Sequence, residues 1–165
     1  MNPSTTTSTE EDPDDASRPD APPLRPGDRV LFLCSHNSAR SIMAESILRA
    51  LAGDRIEVHS AGLDPGTVHP LTLRVLGEDG LPVDGLASTS VADELGRSRF
   101  DHAIVVCDRA AEAWCPSIHP NAMHVHRWPF PDPAAATGSD DERLTAFRSV
   151  RDTIRRRLEA WVGTP

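Results

Sequence analysis

The 165-residue chain has no lysine and no tyrosine, and aromatic residues make up only 4% of it. Its 17 basic residues are therefore all arginine. This excludes the G-x-x-x-x-G-K-[ST] nucleotide loop, whose lysine cannot be supplied. No apolar run approaches the roughly 20 residues of a spanning helix, and the amino-terminal stretch lacks the basic and apolar regions of a signal peptide. A cytoplasmic protein with no membrane partner is the expectation. Basic clusters are missing as well, and the net charge is −8. That balance argues against nucleic-acid binding, which needs grouped phosphate-neutralising charge. Cysteine is scarce, with Cys34, Cys107 and Cys115 alone. An odd number without an export signal argues against a framework of structural disulfides and leaves reactive or inert thiols.

What is present divides the chain in two. Residues 1–26 are rich in Pro, Ser, Thr and acid, and carry almost no large apolar side chain. Such a segment cannot bury enough surface to offset its ordering entropy, so a disordered acidic tail is expected there. Residues 27–165 have the length of one ordinary domain with a core, and a monomer is the default.

The spacing of apolar residues predicts alternating elements in that domain. Strands are expected at 29–33 (RVLFL), 55–62, 101–107 and 123–128, as short apolar runs bounded by turn residues. Helices are expected over SIMAESILRALAG, with Ile42, Met43, Ile47, Leu48 and Leu51 on one face, and over 69–80 and 88–96, the last capped by Ser90. From Asp140 to Val162, Leu144, Phe147, Val150, Ile154, Leu158 and Trp161 recur at three and four, which predicts a long amphipathic helix. Strands alternating with helices imply an α/β, doubly wound, three-layer domain on a four-stranded parallel sheet, with ligands beyond the carboxyl ends of its strands.

Chemistry concentrates in C-S-H-N-S-A-R-S, residues 34–41, between the first strand and the first helix. A loop entering a helix N-terminus aims several N–H groups at one point and adds the positive end of the helix dipole, which favours a tetrahedral oxyanion. The same field favours the thiolate of a sulfur at its centre, here Cys34. Arg40 can grip two oxygens through its planar fork. Ser41 can cap the helix and donate to the sulfur, and Asn37 tolerates positive φ. Asp132, in RWPFPDPAAATG, either starts a turn or serves as general acid over the cradle.

The segment VLFLCSHNSARSIMAESILRAL resembles the active-site segment of the low-molecular-weight protein tyrosine phosphatase superfamily, in its arsenate reductase branch. HSAG (59–62), PDPA (131–134) and the carboxyl-terminal helix resemble that branch in the same order. The resemblance covers about residues 28–162. It implies a low-molecular-weight phosphatase-like catalytic domain with Cys34 as nucleophile and Arg40 as oxyanion ligand. Asp132 would be the proton donor, and Ser35, His36, Asn37, Ser38, Ala39, Arg40 and Ser41 the anion-binding loop. It implies further that Cys107 attacks a Cys34–arsenate adduct, releasing arsenite, and that Cys115 then takes over the disulfide. Electrons would come from thioredoxin or another low-molecular-weight thiol, with no tightly bound cofactor. Phosphate or sulfate would compete with arsenate, and weak phosphatase activity would accompany reduction.

Three features modify this picture. The resembling reductases typically separate the second and third cysteines by six residues, and here there are seven. Eight positions on a continuous helix span about 12 Å, so the segment must loop out or unwind to pair them. Some resembling reductases hold a potassium ion at positions matching Asn37, Glu45 and Ser60, but the further acid of that site is not evident in STSVAD (88–93). The lack of tyrosine, with Pro133 and three alanines after Asp132, suits a small inorganic anion better than an aryl phosphate. Two alternatives remain open: a phosphatase working through a Cys34 phosphoenzyme, and a non-catalytic oxyanion or metal sensor. Zinc on Cys107, Cys115, His119, His124 and His126 would need an unusual ligand spacing.

Overall fold

The computed structural model of the protein describes residues 21–95, 99–107 and 122–163. In chain order these form β1 (Arg29–Cys34), α1 (Arg40–Ala52), β2 (Glu57–Gly62), α2 (Pro70–Glu78), α3 (Val91–Leu95), β3 (Phe100–Val105), β4 (Ala122–Arg127) and α4 (Asp140–Val162). Short 3-10 turns at Gly53–Arg55 and Pro133–Ala135 complete them. The strands build one parallel sheet in the order β2-β1-β3-β4. This is the expected doubly wound α/β arrangement. The winding order switches sides at β1, which has β2 on one side and β3 on the other, so a crevice opens at the carboxyl ends of β1 and β3.

The core gathers Leu31, Phe32 and Leu33 of β1 with Ile42, Met43, Ile47 and Leu48 of α1 and Phe147 and Trp161 of α4. The expectation that α1 presents one apolar face is too weak. Every residue from Arg40 to Leu48 is buried, because α1 is pressed between the sheet and α4. Arg40, Ser41, Glu45 and Ser46 are thus buried polar groups, and such groups need partners. On α4, Ser139 accepts from the Glu142 N–H at 3.2 Å and donates to the Glu142 carboxylate, a side-chain cap that starts the helix. Arg151 of α4, itself buried, donates to Val75 O of α2 at 2.9 Å and pairs with Glu78, Asp79 and Asp152, which staples α2 to α4.

The expected tail lies outside the described residues as far as residue 20. Its last six residues rest on the domain. Ala21 is buried, and the Trp161 indole N–H donates to Pro22 O at 2.8 Å. Asp28 accepts from Arg25 N–H at 2.8 Å and holds His102 Nε2 at 3.3 Å. The Pro22 contact arises because Trp161 offers a buried indole donor that needs an acceptor. Among the described residues, no helix is long and apolar enough to cross a membrane.

Candidate active site

Cys34 ends β1, and the loop 35–39 carries the chain into α1. The backbone around it is held from outside, carbonyl by carbonyl. Leu63 N donates to Cys34 O at 3.4 Å, Asp64 N to Ser35 O at 2.9 Å and Gly66 N to His36 O at 3.1 Å. Ser88 Oγ donates to Asn37 O at 2.6 Å, while His69 N and Thr72 Oγ1 both donate to Ser38 O at 3.0 Å. With five successive carbonyls engaged outward, the peptide N–H groups are left to face the concave side. Asn37 N–H does so at 3.1 Å from Cys34 Sγ, with Asn37 at φ = 50°. Gly62, the last residue of β2, lies directly beneath. A Cβ there would sit 2.8 Å from Asn37 N and 2.9 Å from His36 C. Only glycine lets the strand end and the loop approach so closely.

The thiol of Cys34 is free, buried, and 2.8 Å from Ser41 Oγ. Ser41 does not cap α1, contrary to expectation: the helix begins at Arg40 with Ala39 at the cap position and no side-chain cap. Its hydroxyl is drawn inward by the sulfur and by Asn37 Nδ2 at 2.7 Å. Asn37 Nδ2 also donates to Ser60 Oγ at 3.0 Å, and Ser60 donates to Glu45 Oε2 at 2.6 Å. Asn37, Glu45 and Ser60 are thus brought together. The Ser35 hydroxyl is buried with no hydrogen-bond partner among the described residues. His36 is exposed at the rim, its Nδ1 3.2 Å from Asp64 O.

Two backbone bonds fasten the loop after β4 to the end of β3: Trp128 N to Val105 O at 2.9 Å and Phe130 N to Val106 O at 3.2 Å. This brings Phe130 O within 3.2 Å of Arg40 Nη1, and Asp132 Oδ2 within 4.0 Å of Arg40 Nη2. Asp132 also accepts from Ala134 N–H at 3.0 Å, so it starts the turn and faces the arginine at once. His69, which the sequence reading passed over, caps α2 by accepting from Leu71 N–H at 3.1 Å. Burial first and Arg143 second hold its imidazole below the ordinary histidine range, against the pull of Asp132. A neutral ring suits a cap whose nitrogen must accept a hydrogen bond. The His-Pro pair at 69–70 was the signal for it, since proline favours the first helical position.

Cys107 lies buried just past β3. Val106 N donates to Leu33 O at 2.9 Å, one residue before each cysteine, so Cys34 and Cys107 leave the same sheet edge on adjacent strands. Cys107 is disulfide-bonded. Cys115 and His119 lie outside the described residues. His124 and His126 stand on β4 with their rings stacked on His102, which meets Trp161 edge-on, and no group of metal-ligating side chains converges among the described residues.

A buried thiol at the mouth of a strand–loop–helix cradle, faced by an arginine and a carboxylate, has the geometry to attack a tetrahedral oxyanion held in the loop. The chain belongs to the low molecular weight phosphotyrosine protein phosphatase family, which it matches over residues 29–164. Among its relatives, the arsenate reductase of Halalkalibacterium halodurans is 36% identical over 135 residues, 82% of this chain and 95% of that one. The crystal structure of an arsenate reductase from Archaeoglobus fulgidus superimposes with a TM-score of 0.66 at 32% identity, covering 82% of this chain and 99% of the other. A thioredoxin-dependent arsenate reductase from Corynebacterium glutamicum superimposes with a TM-score of 0.56 at 30% identity, over 79% of this chain and 59% of that one.

Proposed function

We propose that the protein reduces arsenate to arsenite with Cys34, Arg40, Asp132, Cys107 and Cys115. The observation that carries this reading is the second cysteine: Cys107 stands just past the end of β3, the strand beside the one that carries the nucleophile, a position that simple phosphoester hydrolysis does not require. Arsenate enters the loop formed by Ser35, His36, Asn37, Ser38, Ala39, Arg40 and Ser41, with Arg40 taking two of its oxygens. The Cys34 thiolate attacks arsenic, and Asp132 gives a proton to the departing oxygen, which leaves as water. The Cys107 thiolate then attacks the Cys34 sulfur. A sulfur–sulfur bond forms, the sulfur–arsenic bond breaks, and its electron pair reduces As(V) to As(III), so that arsenite leaves. Cys115 attacks Cys107 in turn, which frees Cys34 and presents a disulfide to a dithiol reductant of the thioredoxin kind. The structure with Cys34 free and Cys107 in a disulfide is compatible with that last stage.

In this reading residues 27–165 are the catalytic unit, working as a monomer in the reducing cytoplasm, with no tightly bound cofactor. Phosphate and sulfate compete for the loop, because it recognises tetrahedral charge and not the central atom. The same loop supports slow phosphomonoester hydrolysis through a Cys34 phosphoenzyme.

The deciding experiment is a single turnover by the reduced protein, counting thiols lost per arsenite released, in the wild type and in Cys107→Ser. Two thiols lost per arsenite in the wild type, and no arsenite from the variant, are expected. Aryl phosphate hydrolysis that is equal in both, with arsenite from neither, would make this a phosphatase. Tight arsenate binding with no product from either substrate would make it a sensor.

A further inference from the structure

We infer that the Arg49 guanidinium is a built-in cation that anchors the far end of the hydrogen-bond chain behind the Cys34 sulfur, in place of a bound potassium ion. The inference rests on the reading of Cys34 as the nucleophile. Glu45 is buried on α1, and Arg49 stands one turn further along the same helix with Nη2 2.6 Å from Glu45 Oε1. The same Nη2 donates to Val58 O at 2.8 Å, which ties the guanidinium to β2. An ionised carboxylate only accepts, so the single proton of Ser60 Oγ points at Glu45 Oε2, 2.6 Å away. The lone pairs of Ser60 are then free for Asn37 Nδ2 at 3.0 Å. The Asn37 amide cannot turn over, because Thr89 N–H donates to its Oδ1 at 2.8 Å. Its second Nδ2 proton goes to Ser41 Oγ at 2.7 Å, which leaves the Ser41 proton for Cys34 Sγ at 2.8 Å. The charge at the far end commits the Ser60 proton, the Thr89 N–H fixes the Asn37 amide, and together they leave one order for the whole chain.

A protonated Glu45 could donate to Ser60, and the Ser60 proton would no longer be committed, which loosens the acceptor that steadies the Asn37 amide. Burial pushes the Glu45 carboxyl upward, and Glu94 of α3 adds to that push. The Ser60 hydrogen bond, Arg49, and His59 of β2 oppose it. Arg49 is the strongest permanent charge on that opposing side, since arginine stays protonated.

Asn37, Glu45 and Ser60 do not fit a potassium ion. Both Glu45 oxygens are engaged, Asn37 Oδ1 is taken by a backbone N–H, and Asn37 turns its amide nitrogen toward Ser60. The stretch 88–93 contributes a backbone N–H and a hydroxyl to the loop, while its Asp93 is exposed and the next acid, Glu94, faces His59 at 3.5 Å. The positive charge that would complete the site is already supplied by the chain.

The test is the rate at which iodoacetamide labels Cys34 near neutral pH, read by peptide mass mapping, in potassium, sodium and choline chloride at equal ionic strength. The wild type should react equally in the three salts. Arg49→Met should react about threefold to fivefold more slowly, the scale of an ion pair whose arginine is 41% exposed. Arg49→Lys should recover most of the rate. A wild type several-fold faster in potassium than in choline overturns the inference, and so does a folded Arg49→Met that reacts like the wild type. If Arg49→Met does not fold, the wild-type salt series and Arg49→Lys still decide. A wild-type Cys34 no faster than free cysteine in any salt overturns the nucleophile reading itself, and the inference falls with it.

Discussion

Gly62→Ala puts one methyl group under the anion loop. The new Cβ would stand 2.8 Å from Asn37 N, 2.9 Å from His36 C and 3.0 Å from Asn37 Cβ. Comfortable carbon contacts need about 3.5 Å or more, so the loop must rise by about 0.5–1 Å. Its neighbours are backbone atoms whose carbonyls are already fastened to Gly66 N and Ser88 Oγ, so the displacement cannot be absorbed by a side-chain rotation. Overpacking of this kind costs about 1–3 kcal/mol. In a domain of this size that lowers the melting midpoint by roughly 2–4 °C per kcal/mol. The effect on chemistry should be larger, because Asn37 carries both the N–H on the sulfur and the amide that directs Ser41. A misplacement of about 1 Å at a reacting centre costs about 10²-fold, and that is the expected fall in kcat/KM for arsenate. Gly66→Ala is the control: Gly66 also binds the loop through its N–H, but a Cβ there meets nothing within 4 Å. Steady-state arsenite formation and thermal unfolding of both variants make the comparison. Gly62→Ala within about twofold of wild type, or Gly66→Ala equally damaged, would refute the account of the cradle.

Two further outcomes follow from the packing. Burial holds the His102 imidazole below its ordinary 6.5 against the opposing pull of Asp28, so the unfolded chain binds more protons than the folded one below pH 6.5. Its share of stability is therefore complete above that pH and is lost as the pH falls through the depressed folded value. Urea midpoints compared at about pH 7.5 and about pH 5.5 should drop for the wild type and drop less for His102→Asn, and an identical drop would count against it. Trp161→Phe removes the hydrogen bond to Pro22 O, at a cost of about 0.5–1.5 kcal/mol, and further stability is lost with the missing part of the buried indole. Hydrogen exchange at the Leu24 and Arg25 amides should quicken in that variant, and unchanged exchange would show that the indole does not hold the segment.

Much of this molecule can be read locally. The run RVLFL, the periodic residues from Leu144 to Trp161 and the Cys34–Arg40 spacing each lie within a few turns of chain, so strand, helix and cradle follow from neighbours alone. The misreadings have a common cause. Ser41 looked like a cap because a serine near a helix start usually is one, but here a buried sulfur and the Asn37 amide compete for its hydroxyl. Residues 21–26 looked like tail because their composition is polar and proline-rich, and nothing near them in sequence announces that Trp161 offers a donor.

The sequence alone determined that a parallel α/β sheet would deliver a cysteine and an arginine to a helix N-terminus, since periodicity and spacing act over short range. The tertiary structure decided how that loop is held: by Gly62 beneath it, by Leu63 to Thr72 and Ser88 around its carbonyls, and by Arg49 at the end of a chain through Glu45, Ser60 and Asn37. Each of the contacts made by Gly62 and by residues 63–88 joins residues at least 25 positions apart, and such partners are chosen by packing and by the need to satisfy every buried polar group, not by any local pattern.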